Sequence, residues 1–109
     1  MGKPHDLVQG TLDLLVLRAI EHEPKHGWAI ARRIQQVSAD ILKVQQGSLY
    51  PALYRLERDG RIRGRWTEGE TGRPTKVYAL TAAGRKYLNE QLASWERLSH
   101  AVNLVIRHA

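Results

Sequence analysis

Apolar residues recur along this chain at helical steps in four places, with one alternating stretch between the third and the fourth. Leu12, Leu15, Val16 and Ala19 predict a first helix from about Leu12 to Glu21, capped by Thr11 and stopped before Pro24. Ahead of it, residues 1–10 are mostly polar, carry Pro4 and read as a flexible arm. Ile30, Ile34 and Val37 fall at i, i+4 and i+7 and predict a second helix from Trp28 to Val37. Ile41, Leu42 and Val44 then make a short apolar connection to a Gln45-Gln46-Gly47-Ser48 turn. Leu49, Leu53 and Leu56 repeat the i, i+4, i+7 pattern, so a third helix buries one leucine stripe. Ser48 is the expected cap of that helix, Pro51 falls in its first turn, and Asp59-Gly60 ends it.

Period-two alternation follows. Ile62, Gly64 and Trp66 point one way and Arg63, Arg65 and Thr67 the other. A second strand runs from Thr75 to Leu80, and the Gly-containing segment from Glu68 to Pro74 joins the two as a loop. Trp66, on the face of Ile62, is expected in the core. Thr81 caps a last helix that nothing interrupts before Ala109, roughly 39 Å long if complete. Leu88, Leu92, Trp95, Leu98, Val102 and Val105 form a stripe along it at three- and four-residue steps, resembling a coiled-coil seam. The fold class is therefore mainly α with a small β-hairpin. Residues 11–80 read as a winged helix-turn-helix and residues 81–109 as a C-terminal dimerisation helix.

The third helix supplies the candidate chemistry. At about 100° per residue, Pro51, Tyr54, Arg55 and Arg58 lie opposite its leucines, with Ser48 and Tyr50 on the flanks. Glu57 sits nearer the buried side, placed to pair with a neighbouring arginine. A polar, aromatic and arginine-bearing helix followed by a basic hairpin can enter a DNA groove with a wing alongside. Charge agrees: 17 Lys and Arg oppose 11 Asp and Glu in 109 residues, for a net charge of +6. Five of the arginines fall between Arg55 and Arg65, against only Glu57 and Asp59. That balance suits a polyanion, nucleic acid or an anionic surface.

Other classes recede. The chain has no cysteine, which removes disulfides and thiolate metal sites and is consistent with a reducing cytoplasm. The longest apolar run, Leu12 to Ile20, is interrupted by Asp13 and Arg18 and is too short for a bilayer. No secretory or myristoylation pattern opens the chain, so a cytoplasmic protein without a membrane partner is expected. His22-Glu23-Pro24-Lys25-His26 matches the H-E-x-x-H metalloprotease pattern, but that chemistry requires an unbroken helix to align both imidazoles. Pro24 inside the motif and Gly27 after it make it a turn. With no nucleophile–base set, paired carboxylates or phosphate-binding glycine loop, neither an enzyme nor a cofactor or metal is expected.

An ordered series of blocks from Leu12 to Gly84 resembles the PadR family of transcriptional regulators. It comprises a leucine-rich first helix, His26-Gly27 with an aromatic, Gln46-Gly47-Ser48-Leu49-Tyr50-Pro51-Ala52-Leu53, Arg55-Leu56-Glu57, Asp59-Gly60, Gly72-Arg73-Pro74, Lys76 and Tyr78 to Gly84. Trp28 stands where the family usually has Tyr, and the single helix after Gly84 fits the short subfamily. The resemblance implies a homodimer on a palindromic double-stranded DNA operator, commonly a repressor that a ligand releases. It implies DNA-binding roles for Gln46, Ser48, Tyr50, Pro51, Tyr54, Arg55, Arg58, Arg73 and Lys76, with Tyr50 reaching a phosphate. Arg73 would enter or flank the minor groove as a wing-tip residue, or be an exposed loop cation. Trp95 has three readings: dimer packing, partial exposure without a role, or effector binding. In the last it pairs with its symmetry mate to sandwich a planar aromatic compound, as in drug-binding relatives of the short subfamily. The rival function is a winged-helix module that binds RNA or a protein partner without an effector.

Overall fold

The leucine stripe of the third helix builds the centre of the molecule. A computed structural model describes residues 4–69 and 71–109, the side chains of residues 4–9 excepted. In it α3, Gln46–Arg58, buries Leu49, Ala52, Leu53 and Leu56. Around it lie α1, Pro4–Ala19, α2, Gly27–Val37, and the first half of α4, Ala82–His108. Val16, Leu17 and Ile20 from α1 and its C-terminal edge, Ile30 and Ile34 from α2, and Leu88 from α4 close one core. Helix α1 packs on the other three helices.

Three strands complete the domain in the order β1-β3-β2, all antiparallel. β2, Ile62–Glu68, and β3, Pro74–Leu80, are the expected hairpin, each extended by one residue at the loop end. β1 is only Lys25–His26, paired with Tyr78 and Val77. Two residues are too short for any alternation to show in sequence, so only the fold reveals this strand. The H-E-x-x-H segment, as expected, is not helical: the chain bends at Glu21 to Glu23, passes Pro24 and enters β1.

The structure corrects three local expectations. First, α1 starts at Pro4, where a proline is tolerated in the first turn, instead of after Thr11; residues 4–10 of the expected arm are helical. Residues 1–3 lie outside the described residues. Second, α3 starts at Gln46 after an extended Gln45, with no side-chain cap. Ser48 is therefore inside the helix, and Pro51 stands in its interior, where the Gly47 carbonyl loses its i+4 donor. Third, Trp66 is 67 % exposed. Ile62 at the base of the hairpin is buried, but β2 leaves the body before it reaches Trp66.

Both ends of α4's first turn are pinned. The Thr81 hydroxyl accepts from the Gly84 amide at 2.9 Å and donates to the Gly60 carbonyl at 2.7 Å, coupling this helix to the turn that ends α3. That turn closes with Gly60 at φ +77°, while the Gly60 and Arg61 amides reach the Glu57 and Leu56 carbonyls. It is a Schellman motif, which favours glycine at its left-handed position. A β-carbon at Gly84 would overlap the Arg61 carbonyl, so α4 can approach the turn only through a glycine.

Candidate nucleic-acid interface

On α3 the side away from the core carries Gln46, Ser48, Tyr50, Pro51, Tyr54 and Arg58, all exposed. Tyr54 is the most open aromatic of the set, 68 % exposed. Tyr50, less open at 45 % exposure, leans over α2: a β-carbon on Gly27 would stand 3.0 Å from its hydroxyl. The bare glycine lets the tyrosine settle against the first turn of α2. Trp28, in the same turn, is exposed and stacks in parallel on His26 with ring centroids 6.0 Å apart. Aromatic surface on this side thus spans both helices of the helix-turn-helix.

The arginines divide. Arg58 bonds Asp59 at 3.1 Å, and Arg61 approaches the same carboxylate at 3.6 Å. The Asp59 bond and charge hold the Arg58 guanidinium above its ordinary value, so it remains a cation at any working pH. Exposed pairs of this kind are weak, and Arg58 can exchange Asp59 for an anionic ligand. Arg55 is different. Its guanidinium donates to Asp13 on α1 at 2.9 Å, with both side chains mostly buried. The sequence placed Arg55 opposite the leucines, but Ala52 is fully buried and widens the stripe, and Arg55 follows Ala52 by three residues, toward α1. Burial raises the Asp13 carboxyl above its usual range even though Arg55 pulls it down.

Lys76 is likewise committed. Its ammonium donates to Glu57 at 2.9 Å, and the other Glu57 oxygen accepts from the Gly64 amide at 3.1 Å. Glu57 therefore pairs with a wing lysine and not with an arginine of its own helix. The Lys76 hydrogen bond holds the Glu57 carboxyl below the ordinary range, and the same bond raises Lys76. Glu57, Gly64 and Lys76 form a clamp that fixes the angle between α3 and the hairpin. A β-carbon at Gly64 would overlap the Lys76 side chain, so the clamp needs the glycine too. Beyond it the hairpin exposes Arg63, Arg65 and Arg73, and Gly72 takes φ +79° in the connecting loop.

The terminal helix is also split. Leu88 is fully buried and Leu92 is partly buried against the same core, so these two expected dimerisation residues pack within the chain itself. The cause is α1, which lies along the first half of α4. From Trp95 onward the stripe is open: Trp95, Leu98 and Val102 are each 42–46 % exposed and Val105 64 %. Trp95 also lines a groove of about 360 Å³ with Leu12, Leu15, Leu42, Val44 and Ser48. Among the described residues no group of His, Cys, Asp and Glu could hold a metal ion, and no helix is long and apolar enough to cross a membrane.

Known proteins share this arrangement. A PadR-like transcription factor structure from Bacteroides fragilis superposes with a TM-score of 0.79 at 31% identity, covering 94% of this chain and 96% of that one. A transcriptional regulator of Mycobacterium tuberculosis is 38% identical over 68 residues, 62% of this chain and 63% of its own length. A 37.1 kDa protein from a Streptomyces fradiae transposon is 42% identical over 89 residues, 82% of this chain, which spans only 24% of that protein. Residues 16–90, from the last turn of α1 into α4, match the transcriptional regulator PadR-like family. The chain is a winged-helix, DNA-binding transcriptional regulator and belongs to the PadR-like family.

Proposed function

We propose that this regulator binds an inverted-repeat operator in duplex DNA as a homodimer, acting as a cytoplasmic repressor. The observation that carries the reading is the division of α4. Its first half is consumed by the subunit's own core, and its second half presents Trp95, Leu98, Val102 and Val105 to solvent. A continuous apolar stripe on a projecting helix is stabilised by covering it with a second copy. Two copies joined by a two-fold axis present two α3 helices, and a two-fold protein matches a two-fold site. Within each half-site Tyr54 and Arg58 face base edges, and Gln46, Ser48, Tyr50 and Pro51 line the approach to the backbone. Arg73 and the other wing arginines flank the adjacent groove. Lys76 and Arg55 act indirectly, by holding the wing and α3 in place.

Release by a small molecule belongs to the same reading. The groove beside Trp95 reaches Val44 and Ser48, at the turn into α3. A planar aromatic compound stacked near Trp95 would favour a dimer whose α3 helices are misspaced for successive major grooves. Sequencing duplex fragments selected by the purified protein from a random pool tests the central claim. Recovery of an inverted repeat supports it. Recovery of unrelated fragments, with tighter binding to RNA or single strands, would overturn it in favour of a different nucleic-acid module.

A further inference from the structure

The face of the hairpin turned toward α3 can be read pair by pair. Ile62 opposes Leu80, Gly64 opposes Tyr78, and Trp66 opposes Lys76. Ile62 and Tyr78 are buried, Lys76 is clamped to Glu57, and Trp66 is the first residue on this face to stand clear of the helix. Its ring is not adrift, because the Lys76 ammonium lies 5.7 Å from its centroid and is itself fixed by Glu57. Arg65 precedes it in the strand, and Tyr54 and Arg58 are exposed on the neighbouring helix. A large aromatic ring is thus held open beside a clamped lysine, on the face of the wing that its base turns toward α3.

We propose that Trp66 is a DNA-backbone contact, its ring packed against a deoxyribose and its indole N–H donated to a phosphate oxygen. An indole is a donor only, and a phosphate an acceptor only, so the pair is complementary without a change in charge. A helix seated in the major groove brings the bordering phosphate strand into the gap between itself and its wing. Trp66 faces that gap, whereas Arg63 and Arg65 alternate to the outer face. The inference rests on the duplex-DNA reading above and assigns a further residue to it.

The test uses a selected operator duplex and the variant Trp28→Phe/Trp95→Phe, which leaves Trp66 as the single fluorescent indole. Adding operator should shift Trp66 emission and shield it from acrylamide quenching. Trp66→Ala in the wild-type background should weaken operator binding about tenfold, the size of one lost hydrogen bond to a charged group. Trp66→Phe should fall between the two. Because no charge is removed, the dependence of affinity on salt and the base preference should stay as in wild type. Failure of the duplex reading itself would show as wild-type protein that retains no duplex, with Arg58→Ala without effect. Failure of this inference alone would show as Arg58→Ala weakening binding while Trp66→Ala binds like wild type, or as Trp66 emission unmoved by operator. An emission shift on raising protein concentration without DNA would instead assign Trp66 to a protein contact and overturn the proposal. Trp66 is exposed, so its variants should unfold at the wild-type temperature.

Discussion

At the scale of single residues, what a charged side chain does here depends on where the neighbouring helix lies. Arg55 and Arg58 are three positions apart on α3, yet one is bonded to Asp13 across the helix interface and the other lies open beside Asp59. Arg58→Ala and Tyr54→Ala should each weaken binding to a selected operator by about 1–3 kcal/mol if they touch base edges, with unchanged thermal stability. A gel-shift titration checks this. Arg55→Ala should act on stability, by about 1–3 kcal/mol at neutral pH, because it strands a partly buried carboxylate. The Asp13 carboxyl already lies above its usual range, and loss of Arg55 raises it further. The defect should therefore shrink as pH falls and Asp13 takes up its proton. Thermal unfolding of Arg55→Ala and wild type across pH would reveal an equal loss at all pH values if the pair is unimportant.

Glu57 has the opposite sign. Its folded-state carboxyl lies below the ordinary glutamate range, so its contribution is complete above that range and disappears as pH falls through the lower folded value. Glu57→Gln should remove this part of the acid sensitivity and loosen the wing. Denaturant unfolding of the two proteins between neutral pH and the acid limit should show the stability curves converging only at the acid end.

At the scale of elements, the junction of α3, β2 and α4 leaves little room for substitution at Gly84. Alanine ordinarily improves a helix over glycine by about 1 kcal/mol. Gly84→Ala should nonetheless destabilise by about 1–3 kcal/mol or more, because its β-carbon overlaps the Arg61 carbonyl. Thr81→Ala should cost about 1 kcal/mol through loss of the cap and of the bond to Gly60. Chemical denaturation that ranked Gly84→Ala above wild type would contradict this packing. Element lengths show the same dependence on surroundings. The hairpin and α4 are legible because alternation and a capping threonine are local signals. The start of α1 at Pro4 is not, because Thr11 offers a cap of its own and only Leu7 and Val8 carry the apolar pattern ahead of it.

At the scale of the whole molecule, the proposed dimer rests on the second half of α4. Glutamate at Leu98 and Val102 should give monomers or unfolded protein, whereas wild type should sediment as a dimer at micromolar concentration. A wild-type monomer in sedimentation equilibrium would remove the basis for a palindromic operator. Trp95→Ala should weaken binding of a planar aromatic compound, whose offset stacking contributes about 0.5–1.5 kcal/mol beyond burial. Operator affinity should remain close to wild type, which separates the ligand role from assembly.

The order of the four helices and the hairpin, the leucine face of α3, the cap at Thr81 and the open face of Tyr54 and Arg58 are legible in the sequence. Each follows from periodicity or from hydrogen bonds within a few residues, and such signals survive without knowledge of the fold. Tertiary structure alone decided which partners those residues meet. Asp13 and Arg55 are 42 positions apart and Glu57 and Lys76 are 19 apart, so no local spacing could join them. The exposure of Trp66 depends on where the hairpin leaves the body, and the covering of Leu88 and Leu92 depends on α1 lying beside α4. An amphipathic stripe tells which side of an element avoids water. Which surface covers that side is settled only when the elements pack.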